Sequence, residues 1–238
     1  MRPWLKTTVI LATTILIVWL VRSLVFLPIL ITTDERPSLM QGDRVIVNRC
    51  AFGLRLPLDA LFGYHRLSPT LPRHGDLIAF NDPMERKRNI SDQSLCIGIC
   101  TGLPGDTIWL PWNANGTHTK DTQHYPFVVP GKNVQIDIHP WNIVMIANAL
   151  HLYEQKNVCW DCDSLLVVNG RQVRKVSFSE DYVWVSSNGH TETYDSRLFG
   201  PLPITHLAGK PVLILYSKDP AQPFYSGYRH QRFFSFLP

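Results

Sequence analysis

The chain has 238 residues, of which 45% are hydrophobic and 11% aromatic, which is enough for one well-filled globular unit with decorations. The formal net charge of +4 is mild and scattered, which argues against a nucleic-acid-binding protein. The 14 glycines and 18 prolines, beside 18% charged residues, indicate many turns and favour a mainly β fold.

The first predicted element is a transmembrane helix over residues 7–25. Residues 7–21 are uncharged and rich in Ile, Leu and Val, although roughly 20 residues are needed to cross a bilayer. Arg22 can extend its guanidinium to the headgroups, and apolar residues continue to Ile31, so the span is long enough. A cleavable signal peptide is the alternative, but the run is too long and no small-x-small cleavage site closes it.

The orientation of this anchor follows from its flanking charges. Arg2 and Lys6 precede the apolar run. The positive-inside rule therefore predicts that residues 1–6 stay in the cytoplasm and that the rest of the chain lies across the membrane after a single crossing.

After the anchor, short runs of β-branched and apolar residues between turn residues predict a series of strands. Asn169-Gly170 is a typical turn of a tight hairpin. Residues 53–75 contain several prolines without a clear period and predict a loop, and the charged residues 81–94 predict a solvated hairpin tip. The strands are predicted within residues 43–48, 76–80, 95–110, 164–178, 181–187 and 209–217.

One helix is predicted beyond the anchor, within residues 139–157. Its apolar side chains recur at helical spacing and form one face. The helix lies in what looks like an inserted lobe of about residues 107–176, within a β domain of residues 26–218 that is followed by a C-terminal tail of residues 219–238. The residues of the apolar face are Ile143, Ile146, Ala147, Leu150 and Tyr153.

The chain has five cysteines, so they cannot all pair within one molecule. Cys159 and Cys162 have C-x-x-C spacing, but no βαβ pattern surrounds them and no second pair lies at zinc spacing. A local disulfide, or two packing thiols, is the expected interpretation; redox or metal chemistry is the alternative. We expect no metal site and no cofactor.

Four segments in order resemble the bacterial type I signal peptidase family. They are "RPSLMQGDRVIVNRCAFGLRLP", "RHGDLIAF", "GLPGD" and "YDSRLFGPLP", and the resemblance covers about residues 4–217. It implies a curved β-sheet domain with a peptide groove close to the bilayer, on the periplasmic or extracytoplasmic side of the inner (plasma) membrane. The long middle lobe looks like that of Bacteroidota members.

Members of this family cut with a Ser nucleophile and a Lys general base, whose amine loses its proton because burial lowers its pKa. The resemblance aligns Asp34 with the serine and Gly98 with the lysine. Thr32 occupies the position of a hydroxyl that helps to hold the oxyanion. An oxyanion donor without a nucleophile and a base hydrolyses nothing, so we expect a homologue that lacks the dyad and is inactive.

Other matched residues carry expected roles in binding or structure. The peptide groove is assigned to Thr32, Asp34, Pro37, Ser38 and Asp76. Structural roles are assigned to the turn residues Gly102, Pro104, Gly105 and Asp106, and to Asp195 and Arg197 as an ion pair that braces the sheet.

Relocated catalytic groups are the alternative to inactivity. Ser38 is the nearest hydroxyl, but it lies four residues from the nucleophile position. Lys87 lies in a run of loop charges, and an aspartic mechanism through Asp34 would need an opposed carboxylate, whereas Glu35 is its neighbour in the chain. We therefore expect no rescue.

The sequence thus predicts an inactive, membrane-anchored signal peptidase homologue that binds exported preproteins, or an active signal peptidase, by edge-strand addition. The alternatives are an active signal peptidase with relocated residues, and a structural subunit of a membrane complex.

Overall fold

The computed structural model describes residues 3–32, 39–55, 66–85, 90–111, 124–160, 165–187 and 194–237. This part of the chain is mainly β, as the sequence predicts. Its contacts divide it into two compact units. The first unit contains Met1–Leu71, Leu77–Ile97 and Leu207–Pro238; the second contains Pro72–Asp76 and Gly98–His206.

The secondary structure begins with a long helix and continues as short strands. The helices are α1 (Pro3–Val25), α2 (Ile143–Leu152) and α3 (Ser196–Phe199), with 3-10 turns at Ile90–Asp92, Ile204–His206 and His230–Arg232. The strands are β1 (Phe26–Leu30), β2 (Asp43–Asn48), β3 (Leu54–Arg55), β4 (Arg66–Leu67), β5 (Leu77–Asn81), β6 (Leu95–Gly102), β7 (Thr107–Pro111), β8 (His124–Val128), β9 (Gln135–Asp137), β10 (Val158–Trp160), β11 (Leu166–Val168), β12 (Arg171–Val173), β13 (Lys175–Ser177), β14 (Tyr182–Ser186), β15 (Leu202–Pro203), β16 (Leu207–Ser217) and β17 (Ser235–Phe236).

Helix α1 confirms that the apolar amino-terminal run is helical. Two of its threonine hydroxyls are satisfied inside the helix, because Thr13 donates to the Val9 carbonyl at 3.0 Å and Thr14 donates to the Ile10 carbonyl at 2.8 Å. Within the part of the chain that the structure describes, no helix is both long and apolar enough to cross a membrane, so the predicted span is not confirmed.

The first unit is built on an antiparallel sheet in which β2 lies between β1 and β16. Strands β5 and β17 also pair with β16. The side chains of β2 alternate between buried and half-buried, which is the period-2 pattern of a strand with one face on the core. That core contains Ile29, Ile31, Leu39, Val45, Val47, Leu77, Ala79, Ile97, Ala208 and Ile214.

The second unit contains several small antiparallel pairings around helix α2. Strand β14 pairs with β6 and β15, β7 with β8, β9 with β13, and β11 with both β10 and β12. The predicted helix is confirmed, and four residues of its apolar face, Ile143, Ile146, Ala147 and Leu150, are buried. They pack in a core with Phe127, which lies on β8. The fifth, Tyr153, is the C-cap of the helix and packs, partly buried, against the same core.

The residues that the sequence assigns to a C-terminal tail are part of the first unit. Strand β17 pairs with β16, where Phe236 lies opposite Leu213. Leu237 packs against the core, and its N–H donates to the Val212 carbonyl at 2.9 Å. Arg232 forms an ion pair with the buried carboxylate of Asp43. These contacts fix the tail on the sheet at both its strand and its 3-10 turn.

Candidate functional site

Three of the predicted groove residues, Asp34, Pro37 and Ser38, lie outside the described residues. The chain on either side of them is held in the first unit. The Ile31 N–H donates to the Asp43 carbonyl at 2.9 Å, and the Gly42 N–H donates back to the Ile31 carbonyl at 2.9 Å.

The turn at Gly42 is built for close approach of two chain segments. Gly42 has φ +90°, a left-handed conformation that favours glycine, and an added Cβ would overlap the Lys218 carbonyl. The Lys218 N–H also donates to the Gly42 carbonyl at 3.1 Å. The turn and the end of β16 are therefore joined backbone to backbone.

The buried side chain of Asp43 stabilises this turn through hydrogen bonds. Its carboxylate is fully buried and accepts the Met40 N–H at 2.9 Å, together with two hydrogen bonds from Arg232. Burial by itself would raise the pKa of the Asp43 carboxyl, but the hydrogen bonds from Arg232, the Met40 N–H and Ser217 outweigh it and lower that pKa. Asp43 is thus a charged structural group at the base of the turn.

An open cavity of about 290 Å³ lies beside this turn, within the first unit. Thr32, one of the residues that the sequence assigns to the peptide groove, lines this cavity. Its charged residues are Arg44 and Lys218, and its described lining includes no acidic residue. The lining consists of Leu30, Ile31, Thr32, Gln41, Gly42, Arg44, Tyr216, Lys218 and Pro220.

Gly98, which the sequence aligns with the catalytic lysine, is buried on strand β6 of the second unit. Among the described residues no lysine is buried. Two of them are ion-paired: the Lys156 Nζ lies 3.5 Å from Glu154, and the Lys175 Nζ lies 3.2 Å from Asp137. The described lysines therefore lack the burial that releases a proton from an amine at neutral pH. Lys87 lies outside the described residues.

The turn at Gly102 is closed by its own aspartate. The Asp106 carboxylate accepts the Leu103 N–H at 2.7 Å and lies 3.0 Å from His74. Gly105 has φ +88°, and an added Cβ at Gly102 would lie 2.9 Å from the Trp184 Cβ. These two glycines are required by the turn and by the packing against β14.

Pro104, in the turn at Gly102, and Asp76, which the sequence assigns to the groove, also make local contacts. The Pro104 Cβ would lie 2.7 Å from a Cβ added at Gly131, so the proline packs closely against backbone. The Asp76 carboxylate accepts the Arg73 N–H at 2.8 Å, and its carbonyl accepts the Cys100 N–H at 2.9 Å. Asp76 therefore stabilises the turn at residues 73–76, within the second unit.

Asp195 and Arg197 form an ion pair, with the Arg197 Nη2 2.7 Å from the Asp195 Oδ2. Asp195 is also the N-cap of α3, accepting the Arg197 N–H at 2.9 Å, and it accepts the Ser187 N–H at 3.3 Å. The hydrogen bond to Asp195 raises the pKa of the Arg197 guanidinium. The pair thus joins α3 to the end of β14.

Cys159 is exposed on β10 and forms no disulfide with another described cysteine. Cys162 lies outside the described residues, so the pairing of these two cysteines stays a prediction. Within the described ranges, no group of three or more His, Cys, Asp or Glu residues is placed to hold a metal ion.

A family model described as "Signal peptidase, peptidase S26" matches residues 2–216 of the chain. The chain belongs to the signal peptidase family. The match includes α1, the turn at Gly42 and the ion pair at Asp195, and it ends one residue before Ser217. In this signal peptidase homologue the ordered tail that carries Arg232 therefore lies beyond the family match.

The sequence did not single out the cations of the cavity or the residue that braces its turn. Arg44 stands at an outward position of the predicted strand β2, and Lys218 follows β16 directly. In the sequence, each of these two residues is a cation in or next to a predicted strand. Many solvated surface residues have the same position, so this pattern does not indicate a site. Arg232 lies 189 residues from its partner Asp43, and no local pattern predicts such a contact.

Proposed function

We propose that this protein is a membrane-anchored, catalytically inactive signal peptidase homologue that binds exported polypeptides, or an active signal peptidase, outside the cytoplasm. The observation that carries the proposal is the residue at each dyad position. Asp34 stands where the nucleophile would be, and Gly98, which has no side chain, stands where the base would be. Both positions lie within the range that the family model matches.

The surroundings of the described lysines support inactivity. A serine or threonine hydroxyl needs a neutral amine or another base within hydrogen-bond reach. Burial is what turns the amine of this family's lysine into a base. None of the described lysines is buried, and Lys156 and Lys175 are paired with carboxylates. Thr32 offers a hydroxyl, but no described lysine has the buried environment of a general base.

Strand β1 supports a binding role. Among the described strands β1 pairs only with β2, so its other edge has no strand partner there. An extended peptide that adds to this edge would run towards Thr32 and the groove positions. Edge-strand addition depends on main-chain hydrogen bonds and needs no catalytic dyad.

The exposed side chains of α1 support membrane anchoring. Nine large apolar side chains of this helix are each between 50% and 64% exposed: Trp4, Val9, Ile10, Leu11, Ile15, Leu16, Ile17, Val18 and Trp19. Apolar surface of this extent favours lipid over water. Alkaline carbonate extraction tests the anchor. The wild type is expected to stay with the membranes and an Ile10→Lys, Ile17→Lys variant to be released; release of the wild type contradicts anchoring.

A cleavage assay tests inactivity. The detergent-solubilised chain is incubated with a signal-bearing preprotein, with an active signal peptidase as the positive control, and we expect no cleavage. Specific cleavage that disappears in a Ser38→Ala variant would show that the alternative, an active enzyme with relocated residues, is correct.

Site-specific crosslinking tests binding against a purely structural role. A photoreactive residue at Leu30, at the end of β1, is expected to capture an extended preprotein segment. The matched control is Trp109, which is 66% exposed on β7 and should capture none. Equal capture at both positions, or none at either, would favour the structural subunit.

A further inference from the structure

The cavity beside Thr32 has the composition of an anion site. Two of its nine lining residues, Arg44 and Lys218, are cations, and none of these described residues is acidic. Thr32, Gln41 and Tyr216 add polar groups, while Leu30 and Pro220 add apolar walls. Two cations on a concave surface whose described lining has no acidic residue favour a negatively charged ligand.

Arg44 indicates which kind of anion would bind in this cavity. It lies on β2 between the buried residues Asp43 and Val45, so its side chain is on the opposite face of the strand. Its Nε is buried and has no hydrogen-bond partner within the described residues. A buried N–H without an acceptor costs free energy, and a planar guanidinium binds a carboxylate through paired N–H groups. Arg44 lines the cavity, so a carboxylate bound there would be an acceptor for its guanidinium.

Lys218 is held on the opposite side of the turn. Its backbone N–H bonds the Gly42 carbonyl, and its Nζ donates to the Gln222 carbonyl at 3.3 Å. An ammonium has three donors, so this contact leaves capacity for an anion. Tyr216 lies opposite Arg44 in the register of β16 and β2, which places an aromatic residue beside the guanidinium.

We propose that this cavity binds a carboxylate of an acidic, extended polypeptide. The proposal rests on the proposed binding function and adds a chemical selectivity to it. The position of the cavity favours a peptide, because Leu30 ends the open edge of β1 and Thr32 follows it, so that a strand added to β1 reaches the cavity directly. The apolar walls at Leu30 and Pro220 fit the methylene groups of a glutamate.

Peptide binding to the full chain in detergent tests this proposal, with fluorescence anisotropy as the measurement. The probes are fluorescein-labelled, alanine- and leucine-rich peptides with an amidated C-terminus and a single glutamate moved through each position. Each has a twin with glutamine. A second set carries glutamine and a free C-terminal carboxylate, which separates a side-chain carboxylate from a chain terminus.

We expect one glutamate position, or the free C-terminus, to bind about 10-fold tighter than its neutral twin, as a charge-assisted hydrogen bond provides. The preference should weaken at high salt. It should fall to about 1-fold in Arg44→Gln and decrease in Lys218→Met, while Lys132→Met, an exposed lysine of the second unit, keeps it. Circular dichroism checks that each variant is folded.

The outcomes separate this proposal from the function on which it rests. Peptides that bind with equal affinity for acidic and neutral twins overturn the carboxylate site and leave the binding function standing. A preference that persists in both Arg44→Gln and Lys218→Met overturns the location. If no peptide of any set binds, both the site and the binding function are overturned.

Discussion

Arg232 donates to both carboxylate oxygens of Asp43, with its Nε 3.2 Å from Oδ1 and its Nη2 2.5 Å from Oδ2. The carboxylate side chain is 0% exposed and that of the arginine 20% exposed. The pair joins the turn at Gly42 to the tail beyond the family match. The tail is therefore part of the architecture around the cavity.

The first prediction concerns this pair. Arg232→Gln leaves the buried Asp43 carboxylate without its cation, so we expect a loss of about 3 kcal/mol in the free energy of unfolding. Urea unfolding measures it. The matched control is Arg171→Gln, an exposed arginine of β12, which should change stability little. A loss in Arg232→Gln no larger than in the control would contradict the structural role of the pair.

The same pair predicts a pH dependence. The pKa of Asp43 in the folded protein is below its ordinary value of 3.8, so its stabilising contribution is present above that value and is lost as the pH falls through the folded pKa. The difference in melting temperature between wild type and Arg232→Gln should be largest near neutral pH. It should shrink below about pH 4. A difference that is constant with pH would exclude this linkage.

Two glutamates of the second unit are predicted to respond in opposite directions. Burial, with Glu154 and Asp181 nearby, raises the pKa of Glu180 despite a hydrogen bond from Thr205. Its contribution to stability is present below the ordinary value of 4.5 and is lost as the pH rises through the raised pKa. Glu180→Gln keeps an acceptor for Thr205 and should raise the melting temperature at neutral pH.

Glu154 is compared with Glu180 because its pKa is shifted in the opposite direction. Burial would raise its pKa, but hydrogen bonds from the Ser179 N–H and hydroxyl, and the charge of Lys156, lower it. Glu154→Gln loses charge-assisted bonds and should destabilise by about 1–2 kcal/mol at neutral pH. If both substitutions changed the melting temperature in the same direction, the assignment of opposite pKa shifts would be wrong.

The third prediction separates a helix cap from an ion pair at Asp195. Arg197 is 52% exposed, so the ion pair itself contributes little to stability. The cap contributes more, because the buried Asp195 carboxylate accepts a backbone N–H at the start of the helix. Asp195→Ala should cost about 2 kcal/mol and Asp195→Asn about half of that, because asparagine also caps helices. Arg197→Gln, measured by the same urea titration, should cost less than either. A larger cost for Arg197→Gln than for Asp195→Ala would make the ion pair the dominant interaction.

Thiol labelling provides a fourth prediction. Cys50 and Cys159 are exposed, whereas Cys100 is buried, and burial raises the pKa of its thiol to about 11. Iodoacetamide reacts with thiolates, so the native protein should be modified at Cys50 and Cys159, and at Cys100 only after unfolding. Peptide mass mapping identifies the sites. If Cys159 reacts only after reduction, it is joined to Cys162; early modification of Cys100 would contradict its burial.

Much of the secondary structure could be predicted because local patterns specify it. "DRVIVN" is β2 to the residue, since its alternating side chains fit a half-buried strand. The Asn169-Gly170 turn is also correct, with φ +52° and +79° at the two residues and β11 and β12 on either side. Strand β1 was not predicted, because its apolar residues continue the run of α1 without a polar break.

Less of the candidate site could be predicted. The family motifs predicted the turn at Gly102 and the pair Asp195 and Arg197, whereas the dyad positions Asp34 and Gly98 stay a prediction. The cavity is different, because Thr32, Arg44 and Lys218 come from three separated segments that meet only in the folded sheet. The tail was assigned no structure, because its two-residue strand β17 and its partner Asp43 depend on distant residues.

The separation of 189 residues between Asp43 and Arg232 sets an order on folding during synthesis. The second unit lies between them in the chain, so its strands and helix α2 can be completed while the sheet of the first unit still lacks β16 and β17. Until Arg232 is in place, the carboxylate of Asp43 lacks its cation, and strands β1 and β2 lack the partner strand β16. The sheet of the first unit, which begins with β1 and β2, is thus completed only by the last strands of the chain, β16 and β17.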